Sequence, residues 1–269
     1  LFTLTGIVFL SYASSFSMII VSVVLVGIGS SIFHPEASRI SFLASGGKRG
    51  LAQSIFQLGG NAGTAIGPLL VALIVVPNSQ YYIIWFVVVA ILGLLVLSRI
   101  ALWYQNHLSL RSTKKAVIDL PNLSQKTIVI SVAILLVLIF SKFFYMSSMS
   151  SYFTFYLIEK FGISVQESQF HLVLFLASCA IGTLIGGPLG DKFGRKYVIW
   201  FSVLGAAPFT LMLPYVDLFW TGVLSIAIGI IISSAFPAIL VYAQELLPKK
   251  LGMVSGLFYG FAFGMGGLG

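Results

Sequence analysis

The chain has 269 residues, of which 58% are apolar and only 8% are charged, and its formal net charge is +8. A soluble domain usually has about 45–50% apolar and about 25% charged residues, so this composition excludes a water-soluble globular protein. The single cysteine, Cys179, excludes a disulfide framework and a metal site built from several thiols. A net positive charge is also typical of nucleic-acid-binding proteins, but the basic residues of this chain are arranged differently.

Nine apolar segments follow one another along the chain, and most are long enough to cross about 30 Å of hydrocarbon. We predict that each is a helix, because lipid offers no hydrogen-bond partner to an exposed backbone group. The predicted spans are 1–13, 16–38, 51–76, 81–101, 127–157, 168–189, 197–214, 218–244 and 252–269. We expect the first and the last of these spans to be truncated.

All but two of the 15 basic residues lie in or beside alternate connections between these spans. The exceptions are Lys142 and Lys160. Because cytoplasmic loops are enriched in Lys and Arg, we expect the basic connections to be cytoplasmic. These connections are residues 45–50, 102–126, 190–196 and 247–251. The positive charge therefore indicates a multi-pass membrane protein, with the lipid bilayer and not nucleic acid as its partner.

The chain also repeats itself at an offset of about 202 residues. Residues 30–35, Ser-Ser-Ile-Phe-His-Pro, return as Ser-Ser-Ala-Phe-Pro at 233–237. Arg49-Gly50-Leu51 returns as Leu251-Gly252-Met253. Two related halves joined by a basic linker are typical of secondary transporters. The predicted parts are an N-terminal helical half at 1–101, a cytoplasmic linker at 102–126 and a C-terminal helical half at 127–269.

A charged hairpin separates the two apolar segments 168–189 and 197–214. It contains the pattern G-x-L-x-D-x-x-G-R-[KR], filled by Gly187, Leu189, Asp191, Gly194, Arg195 and Lys196. Gly194 permits a tight turn, and Gly187 lets two helices approach closely. Asp191 can accept hydrogen bonds from the N–H groups at the start of a neighbouring helix, or it can pair with Arg195.

This hairpin resembles the signature loop of the major facilitator superfamily. The resemblance implies an all-α membrane fold of twelve helices in two six-helix halves, with this chain running from about the third helix into the eleventh. It also implies a gating loop, in which Gly187, Asp191, Gly194, Arg195 and Lys196 form a cytoplasmic latch that breaks and re-forms during transport. The alternative interpretation is a well-capped cytoplasmic turn without a gating role.

The segment 51–70 carries two stripes at helical spacing. Gln53, Gln57 and Asn61 share one face, which indicates either a polar transport path or hydrogen bonds to other helices. A second face carries Gly59, Gly63 and Gly67, followed by Pro68, and suits close helix packing. This glycine stripe resembles the antiporter motif of drug-exporting facilitators, although Val71-Ala72 replace its final glycine pair.

Two further groups of polar residues lie where charge in a membrane is costly unless it is paired or used. His34, Glu36 and Arg39 lie near a cytoplasmic span end; they form either a capping cluster, with Glu36 paired to Arg39, or a proton or substrate-anion site. Lys142 lies deep in its span beside Tyr145 and several serines. It is a candidate contact for an anionic substrate, or it extends toward the outer surface or pairs with an acid elsewhere.

Residues 29–39 and 46–61 resemble the fosmidomycin-resistance branch of the superfamily. That resemblance implies a monomeric inner-membrane exporter, not an enzyme, that removes a small anionic or phosphonate drug and so confers antibiotic resistance. It also implies that proton exchange drives export, with no cofactor beyond the proton gradient. Two alternatives stay open: a proton-coupled importer of organic anions or sugars, and a membrane sensor with a transporter-like fold.

Overall fold

The computed structural model describes residues 1–75, 77–111 and 123–266, and every regular element in these ranges is a helix. The α-helices are α1 (Phe2–Ser11), α2 (Phe16–Ala44), α3 (Arg49–Leu70), α4 (Phe86–Arg111), α5 (Gln125–Phe161), α6 (Val165–Phe193), α7 (Arg195–Met212), α8 (Leu218–Ser233), α9 (Ala235–Leu246) and α10 (Leu251–Gly266). A π-helical turn at Val71–Val75 and 3-10 turns at Gln80–Trp85, Leu213–Tyr215 and Pro248–Lys250 complete the set. The predicted all-α fold class is confirmed.

Six stretches in the described part of the chain are long and apolar enough to cross a membrane. They are Phe16–Ala44, Gln80–Asn106, Gln125–Phe161, Val165–Phe193, Arg195–Tyr215 and Leu218–Leu246. The remaining predicted spans correspond to α1, α3 and α10. Helices α1 and α10 are 10 and 16 residues long, and α3 is less apolar because it carries the amide stripe.

Short polar turns delimit the helices of the second half of the chain. Ser164 accepts a hydrogen bond from the backbone N–H of Glu167 and so begins α6, and Asp217 accepts one from Trp220 and begins α8. Such side chains satisfy N–H groups that have no partner inside their own helix. Gly162, with φ of +65°, ends α5 in the left-handed conformation that glycine adopts without strain.

The contacts divide the described residues into two compact units. The first unit contains described residues of 1–36 and 62–119, and the second contains those of 37–61 and 120–269. Residues 37–61 thus pack with the helices of the C-terminal region. The predicted halves at 1–101 and 127–269 follow the sequence repeat and stay a prediction, and most of the predicted linker, 112–122, lies outside the described residues.

The first unit is built on close contact between α1 and α2. A Cβ atom added to Gly6 would meet the carbonyl oxygen of Ser22 at 2.7 Å, and one added to Gly29 would overlap Thr3. Small residues allow helix backbones to approach in this way in membranes. On the predicted outer side, the side-chain amide of Gln80 donates to the carbonyl of Leu10 at 2.8 Å.

The second unit has a buried core centred on α9. Ile239, Leu240 and Val241 are fully buried, and α9 packs between α5, α6, α7 and α10. On α6, a Cβ atom on Gly182 or Gly186 would overlap the backbone of α8 or of the turn after it. Small residues on α6 therefore set the distance between α6 and the α8–α9 segment.

The distribution of polarity is the reverse of that in a soluble protein. Ser38, Ser202 and Ser225 are fully buried, whereas many large apolar side chains are exposed. In α4, the exposed ones include Val89, 60% exposed, and Leu95, 58% exposed. Such a surface matches hydrocarbon and not water, so the described helices are those of a multi-pass membrane protein.

Candidate functional site

The carboxylate of Asp191 lies at the first turn of α3. Its Oδ1 accepts a hydrogen bond from the backbone N–H of Gly50, and its Oδ2 accepts one from that of Leu51, both at 2.9 Å. A carboxylate at a helix N-terminus satisfies free N–H groups and complements the positive end of the helix dipole. The structure thus joins the charged hairpin to a helix 140 residues earlier in the chain.

Three further charged side chains extend this contact, and we call the group of Asp191, Arg195, Glu245 and Arg49 the latch. Arg195 Nη2 lies 2.9 Å from Asp191 Oδ1 and 3.1 Å from Glu245 Oε1. Arg49 Nη1 lies 3.0 Å from the same Glu245 oxygen. The side chains of Asp191 and Arg195 are 16% and 14% exposed, so water screens their attraction less than at an open surface. Both partners considered for Asp191 from the sequence are present together.

Two glycines allow the latch to close. A Cβ atom on Gly187 would overlap Gly50 and Ser54, and one on Gly50 would overlap the backbone of Gly187. At this close approach, the N–H of Gly187 donates to Ser54 Oγ at 3.1 Å. Gly194 has φ of +98° and links α6 to α7 in the predicted tight turn, while Lys196 is exposed.

A buried polar cluster lies on α2, α3, α9 and α10 and shares α3 and α9 with the latch. We call it the inner network; its members are Ser38, Gln53, Gln57, Gln244, Ser255 and Tyr259. Its hydrogen bonds form a continuous chain from Gln244 to Gln57. The amide of Gln244 donates to Ser38 Oγ at 3.0 Å, and Ser38 donates to Gln53 Oε1 at 3.1 Å.

The network continues from Gln53 to α10 and back to α3. Gln53 Nε2 donates to the hydroxyl of Tyr259 at 2.8 Å, and Tyr259 donates to Gln57 Oε1 at 3.2 Å. Gln53 is 1% exposed and Tyr259 is 2% exposed, so each bond lies away from water. Bonds in such a chain polarise one another, and removing one partner leaves its neighbours buried and unsatisfied.

The other residues of the predicted path take different positions. Asn61, on the same face as Gln53 and Gln57, is half-buried. In the first unit, His34 Nδ1 lies 3.0 Å from the carbonyl oxygen of Ser30, and Glu36 is exposed. In the second unit, the side chain of Arg39 lies against Gly252 at the start of α10. The predicted pairing of Glu36 with Arg39 and the roles of these residues in transport stay predictions.

Lys142 points into the helix bundle and is only 6% exposed. Its ammonium donates to Ser202 Oγ on α7 and to the carbonyl oxygen of Ile232 on α8, the latter at 2.6 Å. The hydroxyl of Tyr145, one turn further along α5, lies 3.2 Å from Thr210 Oγ1. Both residues line a cavity of about 300 Å³ between α5, α7 and α8. Their predicted contact with an anionic substrate stays a prediction.

The glycine stripe of α3 makes no close contact with the residues that the structure describes. A Cβ atom on Gly59, Gly63 or Gly67 would meet open space within 4 Å. The side chain of Pro68 lies outside the described residues. Helix packing by this stripe stays a prediction, while the tight contacts of the described α3 residues are made by Gly50.

Six members of the latch and the inner network were missed from the sequence: Arg49, Glu245, Ser38, Gln244, Ser255 and Tyr259. A signal for Tyr259 existed, because Gln57 and Tyr259 occupy equivalent positions of the 202-residue repeat, as do Gln53 and Ser255. Polar positions on α3 thus predict polar positions on α10. No such equivalence marks Gln244 or Glu245. Within the described ranges, no three His, Cys, Asp or Glu side chains gather as metal ligands would.

Comparison with known proteins agrees with this architecture. The chain is 59% identical over 269 residues to the fosmidomycin resistance protein of Escherichia coli strain K12, covering 100% of this chain and 66% of that protein. It is 43% identical over 271 residues to the uncharacterized MFS-type transporter YfnC of Bacillus subtilis strain 168, covering 99% of this chain and 66% of that protein. It therefore spans just under two thirds of the length of both relatives, and the predicted resemblance to the fosmidomycin-resistance branch is confirmed.

The family model for the Major Facilitator Superfamily matches residues 1–269. The match includes the charged hairpin at 187–196, the amide and glycine stripes of α3 and every described helix. The chain belongs to the Major Facilitator Superfamily.

Proposed function

We propose that the protein is a secondary transporter, not an enzyme, that exports a small anionic drug of the phosphonate class across the bacterial inner membrane. Protons moving inward drive the export, with no other cofactor. The observation that carries this proposal is the 59% identity to the fosmidomycin resistance protein over the whole of this chain. Inward movement of one proton supplies about 2.3 kcal/mol per 100 mV of membrane potential.

The latch supports an alternating-access cycle in which the cytoplasmic side opens and closes. Its four members come from α3, α6, α7 and α9, and their charges lie in or beside the basic connections that we assign to the cytoplasm. Each hydrogen bond to a charged group has a net value of about 1.5–3 kcal/mol, because water replaces it when it breaks. A small set of such bonds can therefore open and close at moderate cost.

The inner network is a second set of contacts that is consistent with a closed cytoplasmic side. Gln53 and Gln57 are bonded to Tyr259 in this structure, so these amides are engaged and not available to a solute. In the proposed cycle they separate from α10 when the latch opens, and together with Asn61 they then line the path. Arg39, in the same unit, is the proposed residue at the inner mouth of this path, and His34 and Glu36 stay candidates for a proton or substrate-anion site.

Everted membrane vesicles that contain the intact protein test this proposal. Their lumen corresponds to the outside of the cell and becomes acidic during respiration. We expect fosmidomycin to accumulate in the acidified lumen, and drug addition to make the lumen less acidic. A matched preparation with an uncoupler, which removes the proton gradient, should show no accumulation.

Two other outcomes would overturn the proposal. Drug movement out of acidified vesicles, with protons in the same direction, would identify a proton-coupled importer. Drug binding without any flux would identify a sensor. Accumulation that survives the uncoupler would exclude proton exchange as the energy source and leave only export.

A further inference from the structure

The helix that contains α8 and α9 is broken in its middle. Helix α8 ends at Ser233, Ser234 forms a turn, and α9 begins at Ala235. Pro237, in the first turn of α9, has no N–H with which to bond the carbonyl of Ser233. The last four carbonyl groups of any helix lack partners within that helix, and Ile232 carries one of these in α8.

Two side chains from neighbouring helices donate to this carbonyl. Lys142 Nζ lies 2.6 Å and Ser202 Oγ 3.1 Å from the oxygen of Ile232, and Lys142 also donates to Ser202. A cation at a helix C-terminus complements the negative end of the helix dipole. We call Lys142 and Ser202 the clamp.

The ammonium of Lys142 has no carboxylate partner within 4 Å among the described residues. A buried charge is costly unless it is paired or hydrogen-bonded. The bonds to Ser202 and Ile232 are therefore the interactions that hold this charge. They direct it to the broken end of α8.

The opposite side of the break is held by α6. Cβ atoms on Gly182 and Gly186 would overlap the carbonyl oxygens of Ile230, one turn before the break, and of Ser234, at the break. The backbone at Ile230 and at Ser234 is thus fixed by direct contact with α6, while the clamp holds Ile232 from α5 and α7. The end of α8 is therefore held from three neighbouring helices, α5, α6 and α7.

The angle between α8 and α9 matters because α9 carries one member of the latch and one member of the inner network. Gln244 donates to Ser38 and Ser255 of the inner network, and Glu245 receives Arg49 and Arg195 of the latch. Glu245 lies ten residues beyond the start of α9, which is about 15 Å along a helix, so a tilt of about 10° displaces it by about 2.6 Å. A shift of that size breaks hydrogen bonds of ordinary length.

We propose that the clamp sets the angle between α8 and α9 and thereby determines whether the latch and the inner network form together. Lys142 and Ser202 are positioning residues in this role, since they act on the latch and the inner network through α9. The inference rests on the proposed alternating-access function, but its structural part does not depend on which solute is carried.

Hydrogen exchange of the intact protein in lipid nanodiscs tests the structural part. The variants are Lys142→Met, which removes the ammonium, and Ser202→Ala, which removes the second donor with little change in volume. We expect Lys142→Met to raise the exchange of amides in 238–246 by about tenfold or more, and Ser202→Ala to raise it less, because local opening of α9 becomes easier.

Lys160→Met is the matched control. Lys160 lies on the same helix, and its ammonium also donates to backbone carbonyls, those of Pro214 and Val216, at 2.8 and 3.1 Å. We expect this variant to raise exchange only near 213–217. Unchanged exchange in 238–246 for Lys142→Met, or an equal rise there for Lys160→Met, would overturn the inference. If Lys142→Met is not recovered as folded protein, the exchange of amides in 238–246 is compared between Ser202→Ala and the wild type, and unchanged exchange there overturns the inference.

Transport kinetics provide a second readout that a substrate ligand and a positioning residue affect differently. For Ser202→Ala and Lys142→Met we expect kcat to fall by about tenfold while KM for fosmidomycin changes by less than about twofold, as when a step other than binding is impaired. A large rise in KM with unchanged kcat would instead make Lys142 a substrate contact and overturn the inference. If the wild type moves no drug, the proposed function fails, and hydrogen exchange still decides the role of the clamp.

Discussion

Asp191 accepts a 2.9 Å hydrogen bond from the backbone N–H of Gly50, which lies 141 positions earlier in the chain. A single side chain of the charged hairpin thus caps a helix from the other copy of the repeat. The same carboxylate is paired with Arg195, which in turn bonds Glu245. Because one carboxylate serves both contacts, removing its charge weakens the whole latch.

Replacing Asp191 by Asn tests this relationship. The amide retains one acceptor oxygen but loses the charge that holds Arg195 and complements the helix dipole, and the loss of a cap costs about 0.5–2 kcal/mol. We expect faster hydrogen exchange in the first turn of α3 and transport slower by about twofold to thirtyfold, the change in an equilibrium to which that free energy corresponds.

Asp217→Asn is the control for Asp191→Asn. Asp217 also caps a helix, by accepting from Trp220 at 2.9 Å, but it lies in an exposed turn away from the latch. Transport by this variant should stay close to that of the wild type. Wild-type transport and exchange in Asp191→Asn would show that the capping contact has no gating role.

Gly187→Ala tests the close approach of α3 and α6. The new Cβ atom would overlap Gly50 and Ser54, and overpacking of this kind costs about 1–3 kcal/mol. The expected result is a lower melting temperature in detergent and loss of transport. Gly59→Ala is the matched control, because its Cβ atom would meet open space and alanine favours helix by about 1 kcal/mol over glycine. Equal effects of the two substitutions would contradict the proposed contact.

Tyr259→Phe tests the inner network while keeping the aromatic ring. The ring packs edge-to-face on Phe236 at 5.5 Å and is retained, whereas Gln53 and Gln57 both lose a hydrogen-bond partner. A buried group without its partner costs about 1–3 kcal/mol, so we expect a measurable loss of thermal stability. Tyr156→Phe, which removes a single bond to the carbonyl of Leu213, should cost less. A larger loss in the control would show that the network contributes little.

Glu245→Gln and Arg49→Gln should differ in their effects on the latch. Glu245 holds both arginines, whereas Arg49 is 41% exposed and makes one ion pair, worth about 1 kcal/mol or less when exposed. We therefore expect Arg49→Gln to slow transport slightly and Glu245→Gln to slow it strongly. Raising the salt concentration should weaken the Arg49 contact more than the shielded pair of Arg195 with Asp191. The reverse order in transport rates would place the main contact at Arg49.

The sequence predicted the fold class because a bilayer leaves few alternatives: long apolar segments must form helices, and basic loops face the cytoplasm. It also predicted the chemistry of Asp191, since a carboxylate beside Arg195 at the end of a helix has only two kinds of suitable partner. The tight turn at Gly194 follows from glycine itself, because few other residues adopt its φ of +98°.

The tertiary structure decided which helix meets which face. Helical spacing assigns Gln53 and Gln57 to one face, but it does not identify Tyr259 as their partner, and it gives no indication that Gln244 and Glu245 join the same assembly. The close approach to α6 shows the same limit, since the sequence alone does not indicate that Gly50 of α3 is the residue that meets Gly187. Lys142 is the clearest case. Its depth in the span was readable from the sequence, whereas its contact with the carbonyl of Ile232 depends on a helix break 90 residues away, which only the packed chain brings within reach.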